Sequence, residues 1–508
     1  NTADLVGLDT FVHVAQNCWD NLKGDERHAV FAVPEFLHKM VAAGFVGRKN
    51  DQGFYKKDGK ELLAIDVNTL EYRPKQKVRY ESLGAVRSLE DTAAKIKTVA
   101  WAEDRAGQLF WKVGMATGEY AARRLFEIAD DIVQIDNGMK WGFGWEMGPF
   151  ETWDAIGVRA SVERWKQEGQ DVPAWIADML AAGRETFYAY DDGVKTFWDA
   201  SAKCARPLEE GARVKTFAHI KRDPTTVVKD LFGATLVDLG DGVLACEFHT
   251  KMNAIDADIT ECLNAGLDLC EAGRFDALVL ANDGQQAFSA GANILMLGLA
   301  AQQGEFGQIE QMVKAFQDVC LRLRYSSVPT VAAPFQLTLG GGAEVTMWCD
   351  RARAHAETYM GLVEVGVGLI PGGGGNVELL ARTLERAVDD ASYPTEMLIR
   401  RALETVAMAK VATSVEEAKE LLYLRKGIDH VCMNRRQLLE SAKQEALGMV
   451  RAGYLPPRRR SFRLPGRGAY ATFEMALSSM RDGHFISEHD LKIALKVARV
   501  MTGGDTTS

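Results

Sequence analysis

The sequence predicts two kinds of structure in one chain: an all-helical tandem repeat, and after it an α/β domain that ends in a helical region. Three observations predict this division. Similar helical segments occur twice in the first part, a glycine-rich turn joins an apolar strand to a short helix in the second part, and 508 residues are enough for several domains. Hydrophobic residues make up 47% of the chain and charged residues 26%, as in ordinary globular proteins.

The internal repeat occupies the first part of the chain. The opening segment NTADLVGLDT aligns with ETWDAIGVRA from Glu151, with the threonine, aspartate and glycine in register. Further on, VPEFLHKMVAAG matches VPAWIADMLAAG from Val172, and GFYKKDG matches TFYAYDDG. We therefore expect helical repeats at residues 1–75 and 91–215. The first repeat is incomplete at its start and the chain begins with Asn rather than Met, so we expect a piece of a longer protein.

Polar segments separate the predicted domains. The charged, proline-containing segment EYRPKQKVRYESLG, from Glu71 to Gly84, is expected to link the two repeats. The segment HIKRDPTT, from His219 to Thr226, is expected to separate the repeats from the strand-rich part. Asp4 and Asp154 occupy matching positions in the repeats, and we expect them to cap or support helices.

The second part begins with strand patterns. ATLVDLGDGVLACEF alternates and turns at Gly240–Gly242, which predicts a β-hairpin. FDALVLAN, from Phe275, is a continuous apolar run typical of a buried strand. Beyond about Ala381 the chain is almost wholly helical in pattern and includes a capping box at Ser414 and Glu417. The predicted domains of this part are an α/β core at residues 222–385 and a helical region at residues 386–508.

Composition and charge exclude several classes of function. The net charge is -10, so no overall positive field favours nucleic acid. The eight cysteines show no C-x-x-C pair, which favours reduced thiols in a cytoplasmic protein over a zinc site or disulfides. The nine histidines show no H-E-x-x-H spacing, so no metal is predicted. No apolar run approaches the roughly 20 residues of a membrane span, and the first residues are not a signal peptide.

Two glutamates follow glycine-bordered turns between Val328 and Gly375. Glu344 is predicted in the first turn of a short helix, where the N–H groups of Gly341 and its neighbour have no helical partner and carry the positive end of the helix dipole. Such a helix start can stabilise an oxyanion. Glu364 stands among leucine and valine residues, and apolar surroundings raise the pKa of a carboxyl group. Two acids in different environments indicate acid–base chemistry.

These segments resemble a known family. LGGGAE, then MGLVEVGVGLIPGGGG, with FSAGANI upstream from Phe288, resemble the active-site signature of the crotonase superfamily and specifically the enoyl-CoA hydratases. The resemblance covers about residues 222–508 and implies a spiral of ββα units. It also implies that the amides of Ala292 and Gly341 hold the thioester oxyanion. Glu344 and Glu364 would then add water across the 2,3 double bond of a trans-2-enoyl-CoA.

The resemblance implies further binding residues and partners. The residues expected to bind coenzyme A, as part of the acyl-CoA substrate, are Lys251, Ala254, Ala290, Asn293, Ile294 and, in the basic segment PPRRR, Arg458. No metal or redox cofactor is expected for the hydration. Crotonase domains usually form trimers, so we expect self-association as a homo-oligomer. His249 and His355 are expected to be core or surface residues rather than acids or ligands.

Departures from the family pattern leave alternatives open. Asn293 stands where an aspartate is usual, and Leu362 and Val363 replace the common glutamine and proline. An enoyl-CoA isomerase is therefore an alternative, although isomerases commonly keep one of the two acids and this chain keeps both. A non-catalytic module that binds acyl-CoA or acts as a scaffold is a second alternative.

The repeats carry their own resemblance. Their VGLDT and GFYKK segments resemble the helical C-terminal domain of 3-hydroxyacyl-CoA dehydrogenases, which occurs twice in multifunctional fatty-acid oxidation proteins. In that family a Rossmann domain that binds NAD precedes this domain. The chain shows no G-x-G-x-x-G after a strand at its start. We therefore expect the dehydrogenase activity, and NAD, only in an intact parent protein; a dehydrogenase that draws NAD from such a domain is a third alternative.

Overall fold

The computed structural model describes residues 2–59, 61–76, 78–89, 91–191, 194–208, 215–388 and 395–504. The chain divides into two compact units, Asn1–Leu208 and Glu209–Ser508. All described elements of the two repeats lie in the first unit, although the second repeat was predicted to extend to residue 215, and all elements of the predicted α/β core and of the C-terminal helical region lie in the second. Across the described ranges, no helix combines the length and the apolar character that crossing a membrane requires.

The first unit consists mainly of helices. Its helices are α1 Thr2–Val6, α2 Leu8–Asn21, α3 Glu35–Ala42, α4 Glu81–Ala85, α5 Thr92–Ala100, α6 Arg105–Arg124, α7 Ile132–Phe143, α8 Pro149–Ile156, α9 Val158–Gln167 and α10 Ala174–Ala181. Its strands are β1 Tyr55–Asp58, β2 Glu61–Ile65, β3 Tyr72–Pro74, β4 Tyr188–Asp191, β5 Val194–Asp199 and β6 Cys204–Pro207. Each repeat is therefore helical, as predicted, and adds one antiparallel three-stranded sheet that the helical prediction did not contain.

One of these strands lies inside the segment expected to link the repeats. Strand β3 pairs with β2, and helix α4 begins within the same segment, so the prediction that Glu71–Gly84 is a linker is wrong where these two elements lie. The reason is the aromatic side chain of Tyr72. Its ring packs edge-on against Phe45 at 5.6 Å between centroids, and its hydroxyl donates to the Gly53 carbonyl at 2.7 Å. These contacts fix a segment whose charged composition is typical of a linker.

The matching aspartates of the repeats perform the same task. Asp154 accepts hydrogen bonds from the N–H groups of Phe187 and Tyr188, at 2.7 and 2.8 Å. Asp4 accepts from the two matching N–H groups of the first repeat, at 2.8 and 3.0 Å. Both carboxylates therefore support the first strand of a sheet from a helix, and neither caps a helix.

A buried carboxylate joins the two repeats. Glu119 of α6 is fully buried and forms an ion pair with Arg27, which lies in the first repeat, at 2.7 Å. Arg123, one turn further along α6, pairs with the other oxygen of Glu119. Both oxygens of Glu119 are thus neutralised by arginines, as a buried charge requires.

The second unit mixes strands and helices. Its helices are α11 Phe217–Ile220, α12 Ala257–Glu271, α13 Ile294–Gln302, α14 Phe306–Arg324, α15 Gly341–Trp348, α16 Gly375–Val388, α17 Thr395–Ala407, α18 Val415–Glu420, α19 Leu438–Arg451, α20 Gly466–Asp482 and α21 Glu488–Thr502. Its strands are β7 Val227–Asp230, β8 Ala234–Asp238, β9 Val243–Phe248, β10 Ala277–Ala281, β11 Ala287–Ser289, β12 Thr330–Ala332, β13 Gln336–Leu339, β14 Arg351–His355, β15 Thr358–Gly361, β16 Val411–Ala412 and β17 His430–Cys432.

The strands of this unit form two sheets. One has seven strands in the order β17-β14-β12-β10-β9-β8-β7, and the other has four in the order β11-β13-β15-β16. Three successive pairs, β10–β11, β12–β13 and β14–β15, each send their first strand to the larger sheet and their second to the smaller one. Helical segments follow these pairs, so the α/β fold of ββα units is the one the sequence predicts. The β8–β9 hairpin and the buried strand β10 are also as predicted.

The C-terminal region differs from its prediction in two details. It is not wholly helical, because β16 and β17 each add an edge strand to one of the sheets. The capping box is half formed. Ser414 accepts the N–H of Glu417 at 3.2 Å, but the Glu417 carboxylate accepts from the N–H of Thr413, at 2.7 Å, instead of from Ser414. The segment from His219 to Thr226 also contains short helical turns, the end of α11 and a 3-10 helix.

Candidate active site

Two parallel strands end side by side and bring the predicted oxyanion donors together. Ser289 of β11 pairs with Thr338 of β13. Ala292 and Gly341 stand at the same distance beyond these paired residues, in the turns that follow the strands. A Cβ atom added to Gly341 would lie 3.5 Å from the backbone nitrogen of Ala292. The two backbone amides therefore belong to adjoining turns.

The local backbone leaves both N–H groups outside the regular pairing. Ile255 donates to the Gly291 carbonyl at 2.7 Å and accepts from the N–H of Asn293 at 3.2 Å. The N–H of Ala292, between these two residues, takes no part in that bridge. Gly341 is the first residue of α15, where an N–H has no carbonyl partner within the helix. Neither N–H group is used by the bridge or by the helix, and the two groups lie in adjoining turns.

Glu344 is a buried carboxyl group in the first turn of α15. Its side chain is held at the start of α16, because its Oε1 accepts the N–H of Gly375, the first residue of that helix, at 2.8 Å. A Cβ atom added to Gly373 would lie 2.7 Å from Oε2, so this loop comes as close as only glycine allows. Burial raises the pKa of Glu344 to about 7, against the opposing effect of the N–H groups of Gly375 and Gly373.

Glu364 begins a 3-10 helix, Glu364–Val367, after the buried Leu362. Burial, and then the charge of Glu344, raise the pKa of Glu364 to about 8. Its Oε2 is buried and finds no hydrogen-bond partner among the residues that the structure describes. Its Oε1 approaches Gly340, where an added Cβ atom would lie at 3.1 Å and where φ is 53°. The second glutamate thus keeps one oxygen available.

The two glutamates can together hold one proton near neutral pH. Both carboxyl groups are buried, and burial is the largest cause of both raised pKa values. The charge of Glu344 raises the pKa of Glu364 further. When one carboxyl is ionised, its charge favours the protonated form of the other. The arrangement can therefore take a proton from one reacting atom and give a proton to another.

The loop that contains Lys251 and Ala254, two of the residues predicted to bind coenzyme A, runs beside the turn that carries Ala292. Lys251 is exposed in a short 3-10 helix that ends just before Ala254. The carbonyl of Met252, in this helix, accepts the N–H of Ala290 at 3.1 Å. The structure therefore brings Lys251, Ala254 and Ala290 next to the turn that carries Ala292.

The other three residues predicted to bind coenzyme A, Asn293, Ile294 and Arg458, lie in different kinds of surroundings. The Asn293 side chain caps α13 by accepting the N–H of Met296 at 3.4 Å, and Ile294, the first residue of that helix, is 51% exposed. Arg458 is exposed, lies in the segment between α19 and α20, and forms no ion pair with any residue that the structure describes. Its neighbour Arg460 pairs instead with the buried Glu378 at 2.8 Å, which makes that arginine part of the fold.

Helix α14 contributes two residues that no motif marks. The ring of Phe316 touches both glycine turns: an added Cβ atom on Gly341 would lie 3.4 Å from its Cζ, and one on Gly373 would overlap its Cε1. The side-chain amide of Gln317 donates to the Gly372 carbonyl at 2.8 Å. In the sequence both residues look like ordinary positions on the inner face of an amphipathic helix, and only the folded chain places them at the site.

His249 and His355 lie at the ends of strands. His249 follows β9 and hydrogen-bonds through Nε2 to the Thr235 hydroxyl at 2.8 Å, while His355 ends β14. Burial lowers the pKa of both histidines. Within the described ranges, the structure contains no group of three or more His, Cys, Asp and Glu side chains that could hold a metal ion.

Comparison with known families gives two matches along this chain. Residues 239–398 match the family described as enoyl-CoA hydratase/isomerase. Residues 1–57 match the family described as 3-hydroxyacyl-CoA dehydrogenase, C-terminal domain. The first match contains the two adjoining turns and both glutamates, and the second contains Asp4 and the start of the first repeat.

Individual relatives are similar over different parts of the chain. A Bacillus subtilis protein named a probable 3-hydroxyacyl-CoA dehydrogenase is 42% identical over 503 residues, which cover 99% of this chain and 62% of that protein. The fatty acid oxidation complex subunit alpha of Shewanella halifaxensis is 26% identical over 267 residues, 48% of this chain and 35% of that protein. A crotonyl-CoA hydratase of Syntrophomonas wolfei is 33% identical over 131 residues, 25% of this chain and 48% of that protein.

Solved structures are similar over about half of the chain. The crystal structure of an enoyl-CoA hydratase from Bacillus anthracis is 21% identical and covers 53% of this chain and 90% of that chain, with a TM-score of 0.35. Among the curated relatives above, this chain spans less than two thirds of the length of each.

Proposed function

Because this chain carries a domain of the enoyl-CoA hydratase/isomerase family, we propose that its second unit adds water reversibly to trans-2-enoyl-CoA thioesters. The observation that carries the proposal is the pair of buried glutamates. Burial raises the pKa of Glu344 to about 7 and that of Glu364 to about 8, so that near neutral pH one can hold a proton while the other is ionised. Adding water across a double bond needs one base and one acid.

The thioester carbonyl is bound first. In this proposal its oxygen accepts hydrogen bonds from the N–H groups of Ala292 and Gly341, which lie in adjoining turns. As negative charge moves onto that oxygen in the transition state, the two donors stabilise it. Loss of one such donor typically costs about 3 to 4 kcal/mol of transition-state stabilisation.

The proton transfers then balance within the pair. Glu344 takes a proton from the attacking water while the water oxygen forms its bond to C3. Glu364, whose Oε2 has no partner among the described residues, gives its proton to C2. One water is consumed, a 3-hydroxyacyl-CoA forms, and a proton passing from Glu344 to Glu364 restores the starting state. Each step can also run in reverse, with the roles of acid and base exchanged.

We further propose that this hydration serves fatty-acid β-oxidation. The product, a 3-hydroxyacyl-CoA, is the compound on which 3-hydroxyacyl-CoA dehydrogenases act, and residues 1–57 match the C-terminal domain of those enzymes. The names of the Bacillus subtilis and Shewanella halifaxensis relatives point the same way. In this proposal the dehydrogenase reaction, with NAD, belongs to a longer parent protein, and the hydration uses only the side chains and amides named above.

A direct assay tests the proposal. Purified chain is mixed with crotonyl-CoA, and separately with a longer trans-2-enoyl-CoA, in the absence of NAD. We expect loss of the enoyl absorbance and a product heavier by the mass of one water. Binding of the thioester with no change in absorbance or mass would contradict the proposal and favour a module that binds acyl-CoA without turnover.

Two further substrates separate the remaining alternatives. An isomerase would convert a 3-enoyl-CoA into the 2-enoyl-CoA with no change in mass. A dehydrogenase would reduce NAD when given a 3-hydroxyacyl-CoA. We expect hydration to be faster than isomerisation because both glutamates are present, and we expect no reduction of NAD by this chain.

A further inference from the structure

Phe316 lies between the turn that carries Gly341 and the glycine loop, at Gly373, that approaches Glu344. A Cβ atom added to Gly341 would lie 3.4 Å from the Cζ of Phe316. A Cβ atom added to Gly373 would overlap the Cε1 of the same ring and would lie 2.7 Å from Oε2 of Glu344. The ring therefore extends from the backbone that carries an oxyanion donor to the carboxyl group of the catalytic pair.

The helix that carries this ring is held in place at two points. One side of α14 is anchored in the core, where Val319, Cys320 and Leu323 are fully buried. The next residue, Gln317, donates from its side-chain amide to the carbonyl of Gly372 at 2.8 Å. Phe316 itself is half-buried. A ring on a helix held at both the core and the glycine loop has little freedom to move aside for a ligand.

The reacting carbons of the proposed substrate must occupy the same span. The thioester carbon is bonded to the oxygen that the N–H of Gly341 holds, and C3 receives the water that Glu344 activates. C2 lies between them. In the proposed hydration the double bond would therefore run beside the ring of Phe316, and a methyl branch directed toward α14 would meet that ring.

We propose that Phe316 restricts the site to enoyl thioesters whose double bond carries no branch. The inference rests on the proposed hydration and adds its substrate class: thioesters that are linear at C2 and C3. A rigid aromatic wall discriminates strongly against one extra methyl group, because the ring and the helix that carries it would both have to shift. A single carbon in a well-packed pocket typically changes the specificity constant by about 10- to 200-fold.

The test compares substrates in one assay. The kcat/KM for hydration is measured with crotonyl-CoA, with 2-methylcrotonyl-CoA and with 3-methylcrotonyl-CoA, for the wild-type chain and for Phe316→Ala. We expect the preference of the wild type for crotonyl-CoA over at least one branched thioester to fall about tenfold or more in the variant. The matched control is Phe306→Ala, because Phe306 begins the same helix and is 67% exposed. The control should keep the wild-type preference within about twofold.

Other results would overturn the inference. If the wild type hydrates crotonyl-CoA and Phe316→Ala keeps the wild-type preference, Phe316 does not set it, while the proposed hydration stands. If the wild type hydrates none of the thioesters, the proposed function fails and this inference fails with it. Should Phe316→Ala not fold, Phe316→Leu decides the matter, because leucine keeps an apolar contact but removes the width of the ring. An unchanged preference in folded Phe316→Leu would contradict the inference.

Discussion

Both units bury carboxyl groups, but the hydrogen bonds that the carboxyl oxygens accept differ between the two units. In the first unit, Asp136 accepts the N–H groups of Phe150 and Glu151 at 2.9 and 3.1 Å, and also the Tyr188 hydroxyl at 2.9 Å. Asp154 likewise receives one backbone N–H on each oxygen. In the second unit, Oε2 of Glu364 is buried without a partner among the described residues. Yet burial raises the pKa of the aspartates to about 7 and that of Glu364 to about 8.

The difference shows that a raised pKa does not by itself identify a reactive acid. Burial acts on any carboxyl group, whatever its task. A carboxylate whose oxygens are both occupied by backbone N–H groups supports the chain, and taking up a proton would break one of these bonds. A carboxyl group with an unoccupied oxygen can exchange a proton with a ligand. Backbone hydrogen bonds occupy these two aspartates of the first unit, whereas Glu364 of the second unit keeps a buried oxygen without a partner among the described residues, as the proposed proton transfer requires.

The largest expected effect is on turnover. Glu344→Gln and Glu364→Gln each remove a group that exchanges a proton but keep the size of the side chain. We expect each to lower kcat for crotonyl-CoA hydration by about 10²- to 10⁴-fold, with binding of the thioester largely unchanged, because general acid–base catalysis contributes on that scale. The loss of enoyl absorbance measures the rate, and calorimetric titration measures the binding.

A matched control in the same unit shows whether the effect is specific. Glu310→Gln changes an exposed glutamate of α14 in the same way and should leave kcat within about twofold of the wild type. Turnover near the wild-type level in folded Glu344→Gln or Glu364→Gln would mean that the two glutamates do not perform the proton transfers.

The next effect is on stability at alkaline pH. The pKa of Glu364 lies at about 8 in the folded chain, above its ordinary value of 4.5. A raised folded pKa gives stability that is complete below the unfolded pKa and is lost as the pH rises through the folded pKa. Between these two values each pH unit changes the free energy of unfolding by about 1.4 kcal/mol for one such group. Glu364→Gln is neutral at every pH and removes this dependence.

Hydrogen exchange measures that effect in the second unit alone. Peptides from β9 and β10, at the centre of the larger sheet, report its opening. We expect Glu364→Gln to gain protection relative to the wild type as the pH rises from 5 to 9, after correction for the intrinsic exchange rate. A difference that stays constant over this range would show that Glu364 does not titrate as described.

The smallest expected effect is on the first unit. Asp154→Asn turns one carboxylate oxygen into an amide nitrogen, which then faces the N–H of Phe187 or Tyr188 without accepting it. We expect a loss of about 1 to 3 kcal/mol in the free energy of unfolding of this unit at pH 8, where the aspartate is ionised. Hydration by the second unit should be unchanged.

The control for this substitution is Asp171→Asn, because the side chain of Asp171 is 83% exposed. It should alter the stability of the first unit by no more than about 0.5 kcal/mol. Hydrogen exchange in peptides from β4 and β5 measures the change in the free energy of unfolding of the first unit for both substitutions. If Asp154→Asn behaved like the control, the two backbone hydrogen bonds would not hold the helix to the sheet.

Much of the second unit could be predicted from the sequence because its steric demands are local. The turn before α15 and the loop that approaches Glu344 admit only glycine, and that requirement is visible as LGGGAE and as the glycine run at residues 372–375. The order of the two glutamates relative to these turns is equally local. The β8–β9 hairpin was predictable because its alternating residues and its Gly240–Gly242 turn adjoin in the chain.

Other features depend on contacts between distant segments. Phe316 reaches the site because α14 packs on the core and on Gly372, and neither contact leaves a pattern in the sequence around it. Strand β3 could not be recognised in its charged segment, because it is held in the fold by a single aromatic side chain, Tyr72. That Oε2 of Glu364 has no partner among the described residues is likewise a property of its folded surroundings. Such long-range contacts could not be predicted from residue type and spacing.

The central claim is that Glu344 and Glu364 share one proton and use it for hydration. The measurement that tests it most directly is the pH dependence of kcat/KM for crotonyl-CoA with the wild-type chain. Because the reaction needs one carboxylate and one carboxylic acid, we predict a bell-shaped profile that falls below about pH 7 and above about pH 8. A kcat/KM that stays constant from pH 6 to pH 9, or an absence of hydration at every pH, would contradict the claim.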